Sequence, residues 1–232
     1  MEQTMSHILD RPVWNSLATA HAALALGDAR ARRYPPAIVP FGAAADRSPE
    51  NLAALAALPA DGEAMAIVES IEHPVPPGFE TVLSGDLVQM VAGQLSARIS
   101  DERIMPLTQA DAAEMLELAT LTKPGPFMLG AQDLGTFWGI RIEGRLAAMA
   151  GQRMRVPGFG ELSGLCTHPD FQGQGLGKLL FGFVAGEISA RGETAFLHAY
   201  AANKTAVSLY ERLGFVVRSP MHLLIGRRKS VA

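Results

Sequence analysis

The spacing of apolar residues divides the first hundred positions into short helices and strands. "NSLATAHAALALG" has the apolar density of a buried helix that ends at Gly27, and "AIVPFGA", "EAMAIVE" and "ETVLSGDLVQMVA" predict strands. Between the first two strands, Ser48 and Pro49 supply the N-cap and the first position of a helix over "SPENLAALAALPADG". Residues 1–99 are therefore predicted to form a small α/β subdomain.

The pattern changes near Ser100. Thr108 stands three residues before Asp111, as in a capping box, and opens a predicted helix over "LTQADAAEMLELATLT". The stretches "GTFWGIRI" and "RLAAMAGQRMRV" flank the turn Glu143-Gly144 and predict a hairpin, which "ELSGLCT" extends by a third strand.

The last third of the chain continues the α/β alternation. Helical spacing predicts a helix from Leu176 to Ile188, and "TAFLHAY" predicts a strand after it. Asn203 caps a predicted helix over "KTAVSLYERL", and "FVVRS" and "HLLIGR" predict two final strands. Residues 100–232 are thus predicted to form a second, larger domain.

Composition narrows the class of protein. With 232 residues, 48% hydrophobic and 19% charged, the chain is typical of a folded globular protein. Its net charge is −3 and its basic residues are scattered, which does not favour nucleic-acid binding. Cys166 is the single cysteine, and no Cys/His spacing indicates a metal site. No signal peptide or membrane-spanning run is recognisable, so we expect a cytoplasmic protein, as a monomer or a homodimer.

The stretch "THPDFQGQGLGKLLFGFV" carries the most specific chemistry. Its glycines stand at positions 173, 175 and 177, between a predicted strand and a predicted helix. A dinucleotide-binding fingerprint would need glycine in place of Lys178, and a nucleotide-triphosphate loop would need glycine in place of Gln172 and a hydroxyl in place of Leu179. Neither phosphate-binding motif fits.

An anion site does not depend on either motif. Unpaired amides and the positive end of a helix that begins near Gly175 would point at one place, and Gln172 and Lys178 would add donors. The alternative is that the glycines only form a tight turn. The anion site requires that the amides of residues 173–177 be free and open to solvent.

The segment Gln172-Gly173-Gln174-Gly175-Leu176-Gly177 resembles the Q/R-x-x-G-x-G/A motif with which the GCN5-related N-acetyltransferase (GNAT) superfamily, here its FR47-like branch, binds the pyrophosphate of acyl-coenzyme A. Residues 101–228 resemble that domain, most closely over 161–215. The resemblance implies an α+β fold with a mixed, mostly antiparallel central sheet flanked by helices. Residues 1–99 lack a counterpart of the glycine-rich motif, and two interpretations of them stay open. They are either a truncated relative of that fold that packs beside it and helps to shape the acceptor pocket, or a plain structural extension.

The resemblance also implies roles for individual residues. Acetyl-coenzyme A would be the co-substrate, with its pyrophosphate on the backbone amides from Gly173 to Lys178. Its pantetheine arm would pair with the backbone of Leu165, Cys166 and Thr167, whatever their side chains. Asn203 would contact the coenzyme, cap its helix, or do both. Tyr210 would protonate the leaving thiolate, or else be an ordinary core tyrosine.

Three candidates remain for the base that deprotonates the acceptor amine. Glu161 stands eleven residues before Gln172, which is the base position of the histone-acetylating branch, and His198 stands where a branch acting on protein N-termini carries a basic residue. Histidine titrates near neutral pH without tuning. Water is the third candidate. Alternatively, Glu161 is an exposed charge and His198 an interior imidazole.

The sequence therefore predicts an acetyl-coenzyme A-dependent N-acetyltransferase that acts by direct attack of a primary amine in a ternary complex. The alternatives are another acyl donor or an oxygen acceptor, and an inactive coenzyme A sensor. Cys166 is interpreted as a small buried apolar residue because no positive neighbour is evident. Four residues are candidates for an apolar wall of the acceptor pocket or, alternatively, for the core, namely Phe127, Met128, Phe137 and Trp138.

Overall fold

The structure is a computed structural model of the chain, and it describes residues 7–229. Its first part contains α1 (Pro12–Ala18), β1 (Leu26–Gly27), β2 (Ala31–Arg33), β3 (Gly42–Ala44), α2 (Pro49–Ala57), β4 (Ala64–Glu69) and β5 (Phe79–Ala92). Its second part contains β6 (Ile104–Leu107), α3 (Ala112–Thr122), β7 (Phe137–Ile142), β8 (Arg145–Val156), β9 (Phe159–Thr167), α4 (Leu176–Ser189), β10 (Thr194–Tyr200), α5 (Lys204–Arg212) and β11 (Phe215–Arg228).

An eight-stranded sheet forms the centre of the molecule. Its strand order is β4-β11-β5-β10-β9-β8-β7-β6, and all neighbours pair antiparallel except β9 and β10, which are parallel. A separate three-stranded sheet, β1-β2-β3, lies in the N-terminal part. The predicted α+β architecture with a mixed, mostly antiparallel sheet is confirmed.

The central sheet draws strands from both sides of residue 99. β5 lies between β10 and β11 and pairs with both, from Phe79 to Ala92 on one edge and from Leu87 to Val91 on the other. The predicted boundary between residues 99 and 100 falls in the segment that joins β5 to β6. The N-terminal part thus supplies an interior strand of the sheet.

β9 and β10 diverge, and this divergence positions the candidate site. The two strands pair only where Thr194–Phe196 of β10 faces Phe159–Glu161 of β9. Beyond these residues, β9 continues to Thr167 and β10 to Tyr200 without pairing to each other. A gap therefore opens in the middle of the sheet, with one backbone edge of each strand left free.

Several predicted local features are confirmed. Ser48 caps α2, whose first residue is Pro49, and Thr108 and Asp111 form a reciprocal capping box before α3. Glu143 and Gly144 form the turn between β7 and β8. α4 packs on β8 and β9 through buried residues at helical spacing, including Leu180, Val184 and Ile188.

Other predictions of secondary structure were wrong. The helix predicted to reach Gly27 ends at Ala18, because the backbone turns there and the ring of the buried His21 hydrogen-bonds to the Tyr34 hydroxyl (3.0 Å). The two predicted final strands are one strand, β11, in which a bulge next to Arg218 absorbs the irregular sequence. The short strands β1, β2 and β6 were not predicted.

Candidate functional site

The glycine-rich loop leads into the N-terminus of α4. Gly173 and Gly175 both have φ of 78°, a left-handed conformation that favours glycine, and Gly175 is the N-cap of the helix. A Cβ atom built on either residue would meet no atom within 4 Å, so both face open space. The local sequence therefore sets the loop conformation and keeps its surface bare.

The amides of this loop are free, as the anion site requires. Within residues 7–229, the backbone N–H groups of residues 173–178 have no hydrogen-bond acceptor, whereas the N–H of Leu179 donates to the Gly175 carbonyl. Gln172, Gln174 and Lys178 are exposed. Free amides and the positive end of α4 therefore meet at one solvent-accessible position.

The gap between β9 and β10 contains a cavity of about 320 Å³. Its lining includes Leu162–Leu165 of β9 and Leu197–Tyr200 of β10. Asn203 and Tyr210 from the following helical segment line the same cavity. The structure thus brings Leu165, His198, Asn203 and Tyr210 together around one space.

Cys166 and Thr167 continue β9 beyond the cavity lining. They pair with Met149 and Ala148 of β8 along one edge, and β9 has no strand partner along the other. Cys166 is buried, and this burial raises the pKa of its thiol to about 11. The thiol is therefore protonated at neutral pH and is a poor nucleophile.

Tyr210 and Asn203 hold different parts of α5. The ring of Tyr210 stacks on Phe181, with ring centroids 5.3 Å apart and planes 17° from parallel. Burial raises the pKa of the phenol, and its hydroxyl has no hydrogen-bond partner in the described part of the chain. Asn203 caps the helix by accepting a hydrogen bond from the amide of Ala206 (3.0 Å). Tyr210 therefore lines the cavity with a phenol that is protonated at neutral pH and makes no hydrogen bond in the described part of the chain.

Glu161 is fully buried and ion-paired. Arg153 donates to both carboxylate oxygens (2.7 and 2.8 Å), His198 Nδ1 lies 2.8 Å from Oε1, and the amide of Met154 donates to Oε2 (3.2 Å). Burial by itself would raise the pKa of Glu161, but the charge of Arg153 and these hydrogen bonds outweigh it and lower the pKa to about 2. Glu161 lies behind the cavity wall rather than in it. The interpretation as an exposed charge is wrong.

His198 lies between Glu161 and Gln89. Its Nε2 is 3.0 Å from the amide nitrogen of Gln89. The Gln89 amide can face only one way, because its nitrogen donates to the Leu9 carbonyl and its oxygen accepts from Arg218. His198 Nε2 must therefore accept the Gln89 proton, and Nδ1 carries the ring proton that is donated to Glu161.

The comparisons with known proteins agree with this architecture. Residues 137–222 match the family model of the FR47-like proteins. A crystal structure of a GNAT-family protein from Novosphingobium aromaticivorans is 41% identical to the chain, with 97% of this chain and 100% of that one covered and a TM-score of 0.91. The chain belongs to the GNAT acetyltransferase family.

More distant relatives share parts of this GNAT protein. The mycothiol acetyltransferase of Streptomyces avermitilis is 49% identical over 59 residues, which span 25% of this chain and 19% of that enzyme. The [ribosomal protein bS18]-alanine N-acetyltransferase of Escherichia coli is 38% identical over 73 residues, which span 31% and 49%. The chain thus covers less than half the length of either enzyme. A GCN5-related N-acetyltransferase from Kribbella flavida, 17% identical with a TM-score of 0.60 over 93% of this chain and 96% of that one, shows the same fold.

Sequence reasoning missed several residues of the GNAT site. Arg153 and Gln89 hold Glu161 and His198, and Arg218 links Gln89 to Asp10. The one usable signal was Gln89 itself, a lone amide in the apolar run "LVQMV". The contacts that Arg153 and Gln89 make with Glu161 and His198 across the sheet could not be inferred from the sequence pattern.

The apolar wall of the cavity also differs from the expectation. Besides apolar residues of β8, β9 and β10, it includes four residues from the N-terminal part and from β11, namely Phe41, Val68, Leu87 and Leu223. Phe127, Met128, Phe137 and Trp138 are not among the lining residues. Phe137 packs edge-to-face on Phe127, and Trp138 packs on Phe183. The last residue of α3 and the loop that follows it, residues 122–126, line the cavity instead.

Two further properties concern metals and membranes. Among residues 7–229, no group of three or more His, Cys, Asp or Glu side chains is arranged to hold a metal ion. None of the helices in this part of the chain combines the length and apolar character needed to cross a bilayer.

Proposed function

We propose that this GNAT protein is an acetyl-coenzyme A-dependent N-acetyltransferase that acts by direct attack of a primary amine in a ternary complex. The observation that carries the proposal is the continuity of three features: free amides at the start of α4, a free edge of β9, and a cavity that contains Tyr210. The partial relatives named as acetyltransferases match over part of the same region.

Acetyl-coenzyme A fits the described residues. Its doubly charged pyrophosphate would accept hydrogen bonds from the amides of residues 173–178, with Gln172 and Lys178 as further donors. The amide groups of the pantetheine arm would pair with the free backbone edge of Leu165, Cys166 and Thr167. The thioester would then reach the cavity lined by Tyr210.

Tyr210 is proposed as the general acid. When the amine attacks the thioester carbonyl and the C–S bond breaks, the departing sulfur takes the phenolic proton. The raised pKa of Tyr210 keeps that proton in place at neutral pH, and the unpaired hydroxyl is free to donate it.

His198 is proposed to accept the proton of the amine, directly or through a water molecule. Glu161 is less suited, because its two oxygens already accept four hydrogen bonds and it does not line the cavity. His198 Nε2 already accepts a hydrogen bond from Gln89. An N–H of the substrate ammonium group would therefore replace the N–H of Gln89 as the donor to this atom. Glu161 would be a positioning residue that fixes the tautomer and stabilises the imidazolium.

Replacing His198 tests this assignment. We expect His198→Ala to lower kcat/KM for the amine at neutral pH by about 100-fold, with partial recovery at higher pH, because the amine then deprotonates unaided. The affinity for acetyl-coenzyme A should change little. His222→Ala, at a half-buried histidine outside the cavity, is the matched control. If the pH profile of His198→Ala is unchanged, water rather than His198 accepts the proton of the amine.

Calorimetry with acetyl-coenzyme A, followed by a thiol-release assay over a panel of amines, tests the proposed function. Binding with turnover of amines is the expected result. Turnover only with longer acyl donors or with alcohols would favour the alternative transferases, and binding without any turnover would favour a coenzyme A sensor. Absence of binding would reject the proposal.

A further inference from the structure

The cavity carries an uneven distribution of charge. Among the described residues, its lining contains two basic side chains, Arg153 on β8 and the exposed Lys123, and no aspartate or glutamate. Glu161, the carboxylate that pairs with Arg153, lies behind the wall and is fully buried. An acceptor in the cavity therefore meets cationic side chains but no carboxylate.

Arg153 is held rigidly with one nitrogen unused. Its Nε and Nη2 atoms donate to Glu161, and its guanidinium lies 5.0 Å from the centre of the Phe41 ring. The third nitrogen, Nη1, makes no hydrogen bond to any residue that the structure describes, and 12% of the side chain is exposed. Nη1 of this fixed guanidinium is thus positioned to donate to a second anion.

Arg153 also lies close to the proposed proton acceptor. Arg153 Nη2 and His198 Nδ1 are both within hydrogen-bond distance of the same oxygen, Oε1 of Glu161. The two residues also line the same cavity. A short molecule with an amine and an anion at neighbouring positions would therefore be suited to contact both.

We propose, building on the proposed N-acetyltransferase function, that the acceptor is an amine that also carries a carboxylate, such as an amino acid. Arg153 Nη1 binds the carboxylate, Lys123 adds attraction, and Phe41, Val68 and Leu87 contact the apolar body. The same cationic lining disfavours diamines and polyamines, since no carboxylate in the wall would hold their second ammonium group.

A matched set of acceptors tests the proposal on the unmodified protein. Leucine, leucinamide and 3-methylbutylamine share an apolar body, and only leucine has a carboxylate. At saturating acetyl-coenzyme A, we expect kcat/KM for leucine to exceed that for leucinamide by about 10-fold or more, mainly through KM. Equal or better turnover of leucinamide, the simple amine or a diamine would overturn the proposal.

Calorimetry separates failure of this inference from failure of the proposed function. The same three compounds are titrated into the protein saturated with coenzyme A, which requires no turnover. Tighter binding of leucine than of leucinamide supports the carboxylate site even if no acetylation occurs. Equal or absent binding of leucine contradicts it, whatever the outcome of acetyl-coenzyme A binding.

Two variants locate the recognition. Lys123→Gln should raise KM for leucine about 3-fold and leave KM for leucinamide unchanged, whereas Lys229→Gln, a matched exposed lysine outside the cavity, should change neither. Arg153→Lys keeps a charge opposite Glu161 but removes the fork, so it should raise KM for leucine about 10-fold. Equal changes for leucine and leucinamide would indicate only a structural role.

Discussion

The two halves of the candidate site are built in opposite ways. The donor half, residues 162–178, presents free amides, a free strand edge and glycines that face open space. The acceptor half consists of Arg153, Glu161, His198, Gln89 and the apolar wall, and the polar groups that hold its centre are paired inside the protein. The donor half thus offers hydrogen-bond donors that the protein leaves free, whereas the side chains of the acceptor half are fixed by contacts within the protein.

The two halves also differ in how far apart their residues lie along the chain. The donor half comes from one continuous segment. The acceptor half joins residues that are 37 positions apart in the Glu161–His198 contact and 109 apart in the Gln89–His198 contact. It also depends on the N-terminal part, which supplies Gln89 and three wall residues, Phe41, Val68 and Leu87.

The largest effect is expected from deleting residues 1–99. This change removes β5, the strand between β10 and β11, so the central sheet loses an interior strand and the acceptor half loses Gln89. We expect an insoluble or unfolded product, measured by expression and circular dichroism. A soluble, fully active truncated protein would show that the N-terminal part is a dispensable extension.

Gly175→Asp acts on the donor half alone. It places a negative charge near the proposed pyrophosphate site and forces a side chain into a left-handed conformation, so calorimetry should show a loss of acetyl-coenzyme A affinity of about 100-fold or more. Gly175→Asn is the matched control, because asparagine tolerates this backbone conformation without adding charge. Equal affinity of the aspartate and asparagine variants would contradict the anion site.

Glu161→Ala acts on the acceptor half. It leaves Arg153 without its buried counter-charge, and we expect the free energy of unfolding in urea to fall by about 3–5 kcal/mol. Asp28→Asn breaks an exposed ion pair with Arg30 and should leave stability almost unchanged. Similar stabilities of the two variants would show that the buried pair is not what holds the acceptor half.

The pH dependence of stability follows from the same carboxylate. The pKa of Glu161 is about 2 in the folded protein, against 4.5 as the reference value, so its contribution is fully present above about pH 4.5. It should be lost as the pH falls from about 4.5 to about 2, and amounts to about 3 kcal/mol. Comparing urea unfolding of wild type and Glu161→Gln across this range isolates it. Parallel curves would contradict the low pKa.

Tyr210→Phe is expected to lower kcat by about 100-fold where chemistry limits turnover, because it removes the proton for the leaving sulfur and keeps the ring that stacks on Phe181. Tyr200→Phe is a matched change at a second tyrosine of the same cavity and should have little effect. Equal rates for the two variants would show that Tyr210 is not the acid.

The sequence predicted the features that depend on neighbouring residues. The caps at Ser48 and Thr108, the hairpin turn and the Gln172–Lys178 loop all follow from residues within a few positions of one another. The sequence did not predict the burial of Glu161. Its partner Arg153 is one of several polar residues in a predicted strand, and nothing in the pattern distinguishes it as the partner of a buried carboxylate. The position of β5 between β10 and β11 could not be predicted from the sequence either, because strand order depends on pairing between distant segments.

Hydrogen–deuterium exchange with and without acetyl-coenzyme A tests the central claim most directly. We predict that the amides of residues 173–178 exchange rapidly in the free protein and become protected on binding. The amide of Met154, already bonded to Glu161, should stay protected in both states. Slow exchange of the loop in the free protein, or unchanged exchange at saturating acetyl-coenzyme A, would contradict it.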